Sequence, residues 1–274
     1  MLSRQTAAAD RFQKGAELLS SDKIDARIAG VYLLSHLAQE SEQDRATVVA
    51  TLAAFVRNHS TPASCQGDPD DSALLIKGGR SHELVRDLQT ALTAIGHLHR
   101  APAVPTFSDF VNLDDTCLPW VDLTSTGLEI VSFAESNLTT ANFWHARLFD
   151  ANFIAAHIAL SNFSGADLRL ASFREAFVED TLFDCGFSGC TNTDLRGASF
   201  DDADLSRSRF NNAKFGCIVD PWQNRRCTSM SGAILAGTNL SGVDLTGVDL
   251  TNVYFDRDTV WPAGFTPPPS RAQR

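Results

Sequence analysis

The chain has 274 residues, of which 43% are apolar and 20% are charged. This composition supports a hydrophobic core and excludes a chain that is disordered by composition. The formal net charge is -10, and nearly all of it lies in the second half: residues 1–105 carry a net charge of -1, whereas residues 106–258 carry -11. Direct binding of the second half to nucleic acid or to an anionic membrane is disfavoured, because both need cationic surface.

The first hundred residues predict a small antiparallel stack of α-helices. Apolar side chains recur there at helical spacing in four separate groups. The groups run from Ala9 to Leu19, from Ile24 to Ala38, from Val48 to Val56 and from Leu84 to Ile95. Four amphipathic segments with short early connections predict a helical domain over residues 1–100.

Local signals place the ends of these helices. Asp22, Ser41 and Ser81 are typical of helix starts, and Gly96 is typical of a helix end. The segment from Ser60 to Arg80 is rich in Pro, Gly, Ser and Asp, which predicts a long loop before the fourth helix.

The second half is a five-residue repeat. From Leu113 to Phe183 every fifth residue is apolar, and the pattern resumes from Cys190 to Phe255 after the phase slips by two residues. The residue two before each of these positions is always Val, Thr, Ser or Ala. A period of five fits neither a helix nor a strand, so the chain is expected to turn a corner in each repeat.

Four stretches match the A(D/N)LXX motif of the pentapeptide-repeat family closely: Ala166-Asp-Leu168, Ala203-Asp-Leu205, Ala141-Asn-Phe143 and Ala151-Asn-Phe153. The chain resembles that family over about 145 residues. The resemblance implies a right-handed quadrilateral β-helix, with four repeats in each coil, over residues 107–258. The fold class is then α+β in two parts, a helical stack and a β-helix, joined by a linker at 101–106 that contains two prolines.

A coil of four repeats stacks residues that are twenty apart. Two columns of phenylalanine are therefore expected along the axis. One contains Phe133, Phe153 and Phe173, and the other contains Phe143, Phe163 and Phe183.

Both ends of such a rod need covers, because exposed strand edges recruit other chains. Residues 258–265 resemble the Trp-Pro-x-Gly-Phe segment that closes many pentapeptide-repeat proteins, so Trp261 and Phe265 are expected over the last coil. Residues 259–274 are therefore interpreted as a cap followed, from Pro267, by a loose tail. The helical half resembles the region before the repeats in actinobacterial members and is expected to cover the other end.

A loop is expected where the repeat fails between Cys217 and Cys227. Its centre carries Trp222, Arg225 and Arg226, and an exposed Trp beside two Arg is the composition of a binding hot spot. Trp222 could equally fold back onto the rod while the two arginines pair with nearby aspartates. Both interpretations stay open at the sequence level.

The slip between Phe183 and Cys190 predicts a bulge of two residues. If those residues stay within their coil, Val178 stacks under Phe200, and carboxylates stack on adjacent strands. The resulting acidic group is Glu179, Asp180, Asp184, Asp201, Asp202 and Asp204. Since like charges on adjacent strands are destabilising, the group is either a protein-binding surface or a solvated face that aids solubility.

The sequence contains no catalytic, metal or cofactor motif. Phosphate-binding, dinucleotide-binding and nucleophile-elbow patterns are absent, and His97 with His99 is read as a solvated helix end. Six cysteines are too few for a disulfide scaffold, and no export signal is apparent, so a cytoplasmic, mostly reduced bacterial protein is expected. A Cys217–Cys227 disulfide is possible, although that compartment disfavours it.

The sequence leaves three functions open, and they come from different sources. The repeat rod itself indicates a non-enzymatic scaffold that binds a protein partner. The family resemblance implies an alternative, in which an acidic rod imitates duplex DNA and binds a type II topoisomerase such as DNA gyrase, modulating it or protecting it from inhibitors. A membrane-associated signalling adaptor, as in longer relatives, is a third alternative that no apolar span in the sequence supports.

Overall fold

The computed structural model describes residues 2–65, 86–99, 110–184 and 191–272. It contains the four expected helices. They are α1 (Leu2–Leu19), α2 (Ile24–Glu40), α3 (Glu42–His59) and α4 (Arg86–Leu98), with a 3-10 helix at Pro62–Cys65. The expected helix start at Ser81, the linker at 101–106 and most of the expected loop at 60–80 lie outside the described residues.

The core of the helical half is continuous with that of the repeat half. Helix α2 lies at its centre and contacts α1, α3 and α4. The fully buried residues include Val31, Leu34, Leu52, Val56 and Leu92, which are the positions that the helical periodicity selects. The start signals are only partly confirmed, because Lys23, not Asp22, caps α2, and Ser41 caps α3 without a side-chain hydrogen bond.

Gly96 does not end α4, contrary to the expectation from sequence. The helix continues to Leu98, and Gly96 lies where α4 touches the repeat half. A Cβ atom on Gly96 would be 2.8 Å from Cβ of Thr126, and the Gly96 carbonyl accepts a hydrogen bond from the Gly127 N–H at 3.2 Å. This glycine therefore permits the close approach of a helix to a coil.

The repeat half is a stack of twenty-residue coils. Strand β1 (Val111–Asn112) pairs in parallel with β2 (Val131–Ser132), and single parallel bridges continue this pairing along the chain, such as Asn142 with Asn162. At nearly every corner one residue has a positive φ near +60°, as at Ser125 and Glu135. This left-handed residue turns the chain once in five residues and is the physical origin of the period.

The two columns of phenylalanine form as expected and are longer than expected. Phe143 and Phe163 stack at 4.6 Å between ring centroids, and Phe153 and Phe173 stack at 4.8 Å. Rings of different columns meet edge to face, so each ring touches neighbours of both kinds, and aromatic pairs in these geometries contribute about 0.5–1.5 kcal/mol each. The columns continue through Phe200 and Phe210.

The register across the first interruption differs from the expectation. Bridges join Asp167 to Asp194 and Ser172 to Ser199, a separation of 27 residues. Phe173 therefore stacks on Phe200 at 4.8 Å, and the prediction that Val178 does so is wrong. The first interruption therefore adds seven residues to the twenty of a coil, which is one whole repeat plus two residues. A whole repeat leaves the five-residue phase unchanged, so only the two further residues are visible in the sequence as a slip.

Both ends of the stack are covered. At the first coil, the Ser60 carbonyl accepts from the Cys117 N–H at 2.6 Å, and Gln89 exchanges two hydrogen bonds with the Asp122 backbone. At the last coil, Trp261 packs on Phe255 and Phe265 as expected.

The tail after Pro267 is held at two residues, although it was expected to be loose. Arg271 donates from its backbone N–H to the Val253 carbonyl at 2.9 Å, and Ser270 Oγ is hydrogen-bonded to the Phe255 backbone. Backbone groups at the edge of the last coil need partners, and the tail supplies them.

Candidate functional site

A β-hairpin projects from the stack at the second interruption. Strand β3 (Cys217–Val219) pairs antiparallel with β4 (Arg225–Cys227), and residues 217–227 are called the hairpin below. The coil continues from Ser199 to Ser229, so the hairpin adds ten residues, which equal two repeats and preserve the phase. The loop expected from sequence is thus confirmed and has a defined structure.

Asp220 holds the hairpin turn in place. Its carboxylate is buried and accepts hydrogen bonds from the backbone N–H groups of Trp222 at 3.0 Å and Asn224 at 2.7 Å. Burial alone would raise the pKa of Asp220, but donors from Asn224, Arg226 and Trp222 lower it below its usual value. The turn therefore depends on an ionised carboxylate with its hydrogen bonds satisfied.

The hairpin leans against the stack and is not free in solvent. A Cβ on Gly197 would lie 2.8 Å from both Ile218 Cγ2 and Leu170 Cδ2, and 3.3 Å from Arg226 Cβ. Gly197 also has a φ of +76°, so the position suits glycine on both counts. The close contact fixes the direction in which the hairpin points.

Each of the two interpretations that the sequence left open for the hairpin side chains is correct in part. Trp222 is 50% exposed and Val219 is 58% exposed, so the apolar tip does not fold back onto the rod. Arg226 does pair with an aspartate, since its Nε lies 3.4 Å from an Asp220 oxygen. Arg225 is exposed, and its guanidinium lies against the sulfur of Cys217.

The acidic group expected from sequence is divided and partly neutralised. In the observed register Glu179 and Asp180 lie beside Ser206 and Arg207, not beside Asp201 and Asp202. Arg207 forms ion pairs of 2.8 Å with both Glu179 and Asp180, and these hydrogen bonds raise its pKa. The expected stack of four carboxylates is therefore wrong.

The remaining two members are also engaged. Asp184 is buried and pairs with Arg209 at 3.1 Å. Asp204 accepts hydrogen bonds from the N–H and Oγ of Ser206. These carboxylates support the local structure of the coil.

A different set of carboxylates lies together near the hairpin. The Glu175 N–H donates to the Asp201 carbonyl at 2.9 Å, which places Glu175 next to Asp201 and Asp202; these three residues are called the acidic edge. Asp201 accepts from Ser229 Oγ and, at 3.1 Å, from the Ser231 N–H, just after β4. The sequence does not indicate Glu175 as a member, because the phase slip shows two extra residues whereas the first interruption adds seven.

Asp150 is a second residue that the sequence analysis missed. It lies near Asp220 and Arg226 of the hairpin, and its pKa is raised to about 6. Burial is the main cause, the Asp220 carboxylate adds to the shift, and Arg226 opposes it. No sequence signal marks this residue, because the hairpin reaches it only in three dimensions.

Replacing Asp150 with Asn should stabilise the protein at neutral pH. The raised pKa means that the folded state binds the proton more tightly than the unfolded chain, so wild-type stability falls as the pH rises from about 4 to about 6 and stays lower above. At pH 7 we expect the free energy of unfolding of Asp150→Asn to be about 1–2 kcal/mol higher than that of wild type. This is less than the full pKa shift implies, because part of the side chain is exposed to solvent. The two proteins should be equal near pH 4. Urea titrations at both pH values measure this, and equal stability at pH 7 would contradict the placement of Asp150.

Two disulfides correct the expectation of a mostly reduced protein. Cys65 is bonded to Cys117, which ties the 3-10 helix to the first coil, and Cys217 is bonded to Cys227 at the base of the hairpin. Disulfides are rare in reducing compartments, so the sequence argument from compartment gave the wrong result for these four cysteines. The first pairing depends on how the helical half meets the first coil, and the second depends on the hairpin register.

The described part of the chain holds no group of three or more His, Cys, Asp or Glu side chains arranged to bind a metal. His99 is buried and its Nε2 lies 2.7 Å from the Glu129 carbonyl, so its role is to join α4 to the repeat half. Among the described helices, none is long and apolar enough to cross a bilayer.

The family model for pentapeptide repeats matches the chain in eight copies, over residues 146–184, 190–216 and 226–257. The gaps between these matches fall on the two interruptions described above. The repeat half of this chain therefore carries the repeats that this family model describes. Its helical half precedes the repeats as four helices.

Several solved structures of pentapeptide-repeat proteins are similar to the chain. QnrB1, a plasmid-mediated fluoroquinolone resistance protein, shares 19% identity over 53% of this chain and 83% of its own, with a TM-score of 0.30. Rfr23 from the cyanobacterium Cyanothece 51142 shares 18% identity over 56% of this chain and 90% of its own, with a TM-score of 0.25. HetL from the cyanobacterium Nostoc sp. strain PCC 7120, which is involved in heterocyst differentiation regulation, shares 23% identity over 52% and 86%, with a TM-score of 0.18. No curated protein matches the chain.

Proposed function

We propose that this protein is a non-enzymatic scaffold that binds a partner protein through the hairpin and the acidic edge. The observation that carries the proposal is the half-exposed Trp222, which lies on a hairpin that is closed by a disulfide and packed against the stack. Large aromatic side chains dominate the binding energy of protein interfaces. An exposed Trp on a rigid element loses little conformational entropy when it is buried by a partner.

The charges around the hairpin indicate the chemistry of the partner. Glu175 and Asp202 are exposed, and Asp201 between them is bonded to serines and not to arginines. An apolar pocket for Trp222, flanked by basic side chains that face the acidic edge, would complement this surface. We therefore expect a basic protein partner.

Replacing Trp222 with Ala should weaken partner binding by about 30-fold or more, which corresponds to about 2 kcal/mol for a central aromatic residue. The full-length protein is immobilised and the partner retained from a lysate is identified; its affinity for purified wild type and variant is then measured by calorimetry. Phe177→Ala is the matched control, because Phe177 is 47% exposed on the same stack but lies outside the hairpin. Equal losses from the two variants, or none from Trp222→Ala, would refute the proposal.

A DNA-like surface that binds a type II topoisomerase is the second candidate. The net charge of -11 in the repeat half and the acidic edge support it. The ion pairs of Arg207 oppose it, because they neutralise two of the carboxylates that a continuous acidic face needs. If this candidate is correct, Asp201→Lys with Asp202→Lys abolishes topoisomerase binding in low salt, whereas Trp222→Ala leaves that binding unchanged.

We also propose that the coils form the right-handed quadrilateral β-helix of the family over residues 107–258. The twenty-residue bridge spacing and the left-handed corner residue in most repeats support this form. A crystal structure with four flat sides and right-handed coiling is the expected result.

A further inference from the structure

The Cys217–Cys227 disulfide closes the hairpin at its base. The two residues face each other directly across β3 and β4, ten residues apart in the chain. Each strand has only three residues, and the turn adds two backbone hydrogen bonds, from Asp220 N–H to the Asn224 carbonyl at 2.8 Å and from Gln223 N–H to the Asp220 carbonyl at 3.0 Å. The disulfide is therefore a main constraint on the hairpin, because such short ribbons are marginal in water.

Accessibility distinguishes this disulfide from Cys65–Cys117. Cys217 and Cys227 are both only half-buried, on an element that projects from the stack. In the Cys65–Cys117 disulfide only Cys65 is half-buried, whereas Cys117 is 6% exposed and its backbone N–H is bonded to Ser60 of the helical half. An attacking thiolate needs a path to sulfur, so the hairpin disulfide is the more accessible to a reductant.

A cationic group lies beside one sulfur of the hairpin disulfide. The Arg225 Nη2 is 3.4 Å from Cys217 Sγ. A guanidinium in this position stabilises a thiolate, which makes Cys217 the better leaving group when the bond is attacked at Cys227. Arg226, the next residue, faces Asp220 and provides a natural comparison.

We propose that the Cys217–Cys227 disulfide is a reversible redox switch, opened by a dithiol reductant, that controls the display of Trp222. The role of Trp222 rests on the proposed function; the switch itself does not. A thiolate of the dithiol attacks Cys227 Sγ, the Sγ–Sγ bond breaks, and Cys217 leaves as a thiolate. The second thiolate of the dithiol then attacks the sulfur that the dithiol contributes to the mixed disulfide. This step releases Cys227 as a thiolate. The hairpin gains two electrons and two protons, and the dithiol becomes a disulfide.

The open hairpin is expected to move away from the stack. In the closed hairpin the disulfide and a pairing of three residues hold β4 to β3, and Ile218 of β3 and Arg226 of β4 both lie beside Gly197 of the stack. When the disulfide no longer holds the strands, β4 separates from β3, and the turn that carries Trp222 moves away from the stack.

Graded reduction tests the chemistry. The full-length protein is treated with excess dithiothreitol, quenched with iodoacetamide at intervals and analysed by peptide mass spectrometry. We expect Cys217–Cys227 to open on the order of tenfold faster than Cys65–Cys117. Arg225→Gln should slow the opening roughly threefold, Arg225→Lys should restore it, and Arg226→Gln should leave it unchanged. Equal rates for the two disulfides, or an unchanged rate in Arg225→Gln, would overturn the proposal.

Limited proteolysis tests the movement without any partner, so its result is independent of the proposed function. Chymotrypsin cleavage after Trp222 should accelerate several-fold on reduction, because cleavage requires local opening. The variant with Cys217→Ser and Cys227→Ser should be cleaved at the fast rate without reductant. The variant with Cys65→Ser and Cys117→Ser should keep the slow rate. A cleavage rate that reduction does not change would show that the hairpin stays closed and would overturn the switch.

Discussion

Phe163→Asp is expected to destabilise the coil stack by about 5 kcal/mol or more. Phe163 is fully buried, stacks on Phe143 at 4.6 Å and on Phe183 at 5.2 Å, and meets Phe153 and Phe173 edge to face. Removing such a ring alone costs about 3–5 kcal/mol, and a buried carboxylate without a partner adds to that. Urea unfolding followed by circular dichroism measures the loss.

The control for this substitution is Phe177→Asp. Phe177 belongs to the same stack and stacks on His157, but its ring is on the outside. We expect a change within about 1 kcal/mol there, as for most exposed positions. If Phe163→Asp unfolds at the wild-type urea concentration, the ring columns do not form the axis of the stack.

Arg27→Met is expected to destabilise the helical half by about 3–5 kcal/mol. The Arg27 Nε lies 2.5 Å from Asp87 Oδ2, and Asp87 is only 1% exposed. Arg27 also donates to the Ser21 carbonyl at 3.0 Å, so it connects the α1–α2 turn to α4. Breaking one side of a buried ion pair leaves the other charge without compensation, which is the costly case.

The double variant separates charge from packing. In Arg27→Met with Asp87→Leu no buried charge remains, and most of the lost stability should return. Thermal melts of the two single variants and the double variant complete the cycle. Additive losses would mean that the two side chains act independently, in conflict with the observed pair.

Most of the fold could be predicted from sequence because its signals are periodic. The five-residue pattern identified the axis residues, and Phe153 and Phe173 stack where the period places them. Helical periodicity likewise found the buried face of α2. Such patterns are read over many residues, so one exception does not change the interpretation.

The predictions that proved wrong depend on one number of inserted residues or on one contact between distant segments. The slip after Phe183 leaves the phase the same whether two or seven residues are inserted, so the sequence could not choose between Val178 and Phe173 as the neighbour of Phe200. Glycine is typical of a helix end, but Gly96 lies inside α4, where the close contact with Thr126 leaves no room for a side chain. Local signals cannot report contacts between distant segments.

The candidate site was found in part for the same reasons. Trp222 was identified because the repeat visibly fails around it. Arg207, which neutralises Glu179 and Asp180, and Glu175, which joins the acidic edge, depend on the register across the first interruption. Asp150 depends on the direction in which the hairpin leans.

Site-specific photo-crosslinking tests the central claim most directly. A photoreactive aromatic amino acid, which keeps a large ring at the tip of the hairpin, replaces Trp222 or, as a control, Leu160, an exposed position on the stack outside the hairpin, and each full-length protein is irradiated in a lysate. Adducts are identified by mass spectrometry and compared with the partner that binds purified wild type. A single adduct containing that partner at position 222, with none at position 160, is the result that the scaffold proposal predicts. The same adducts at both positions, or no adduct of that partner at position 222, would contradict it.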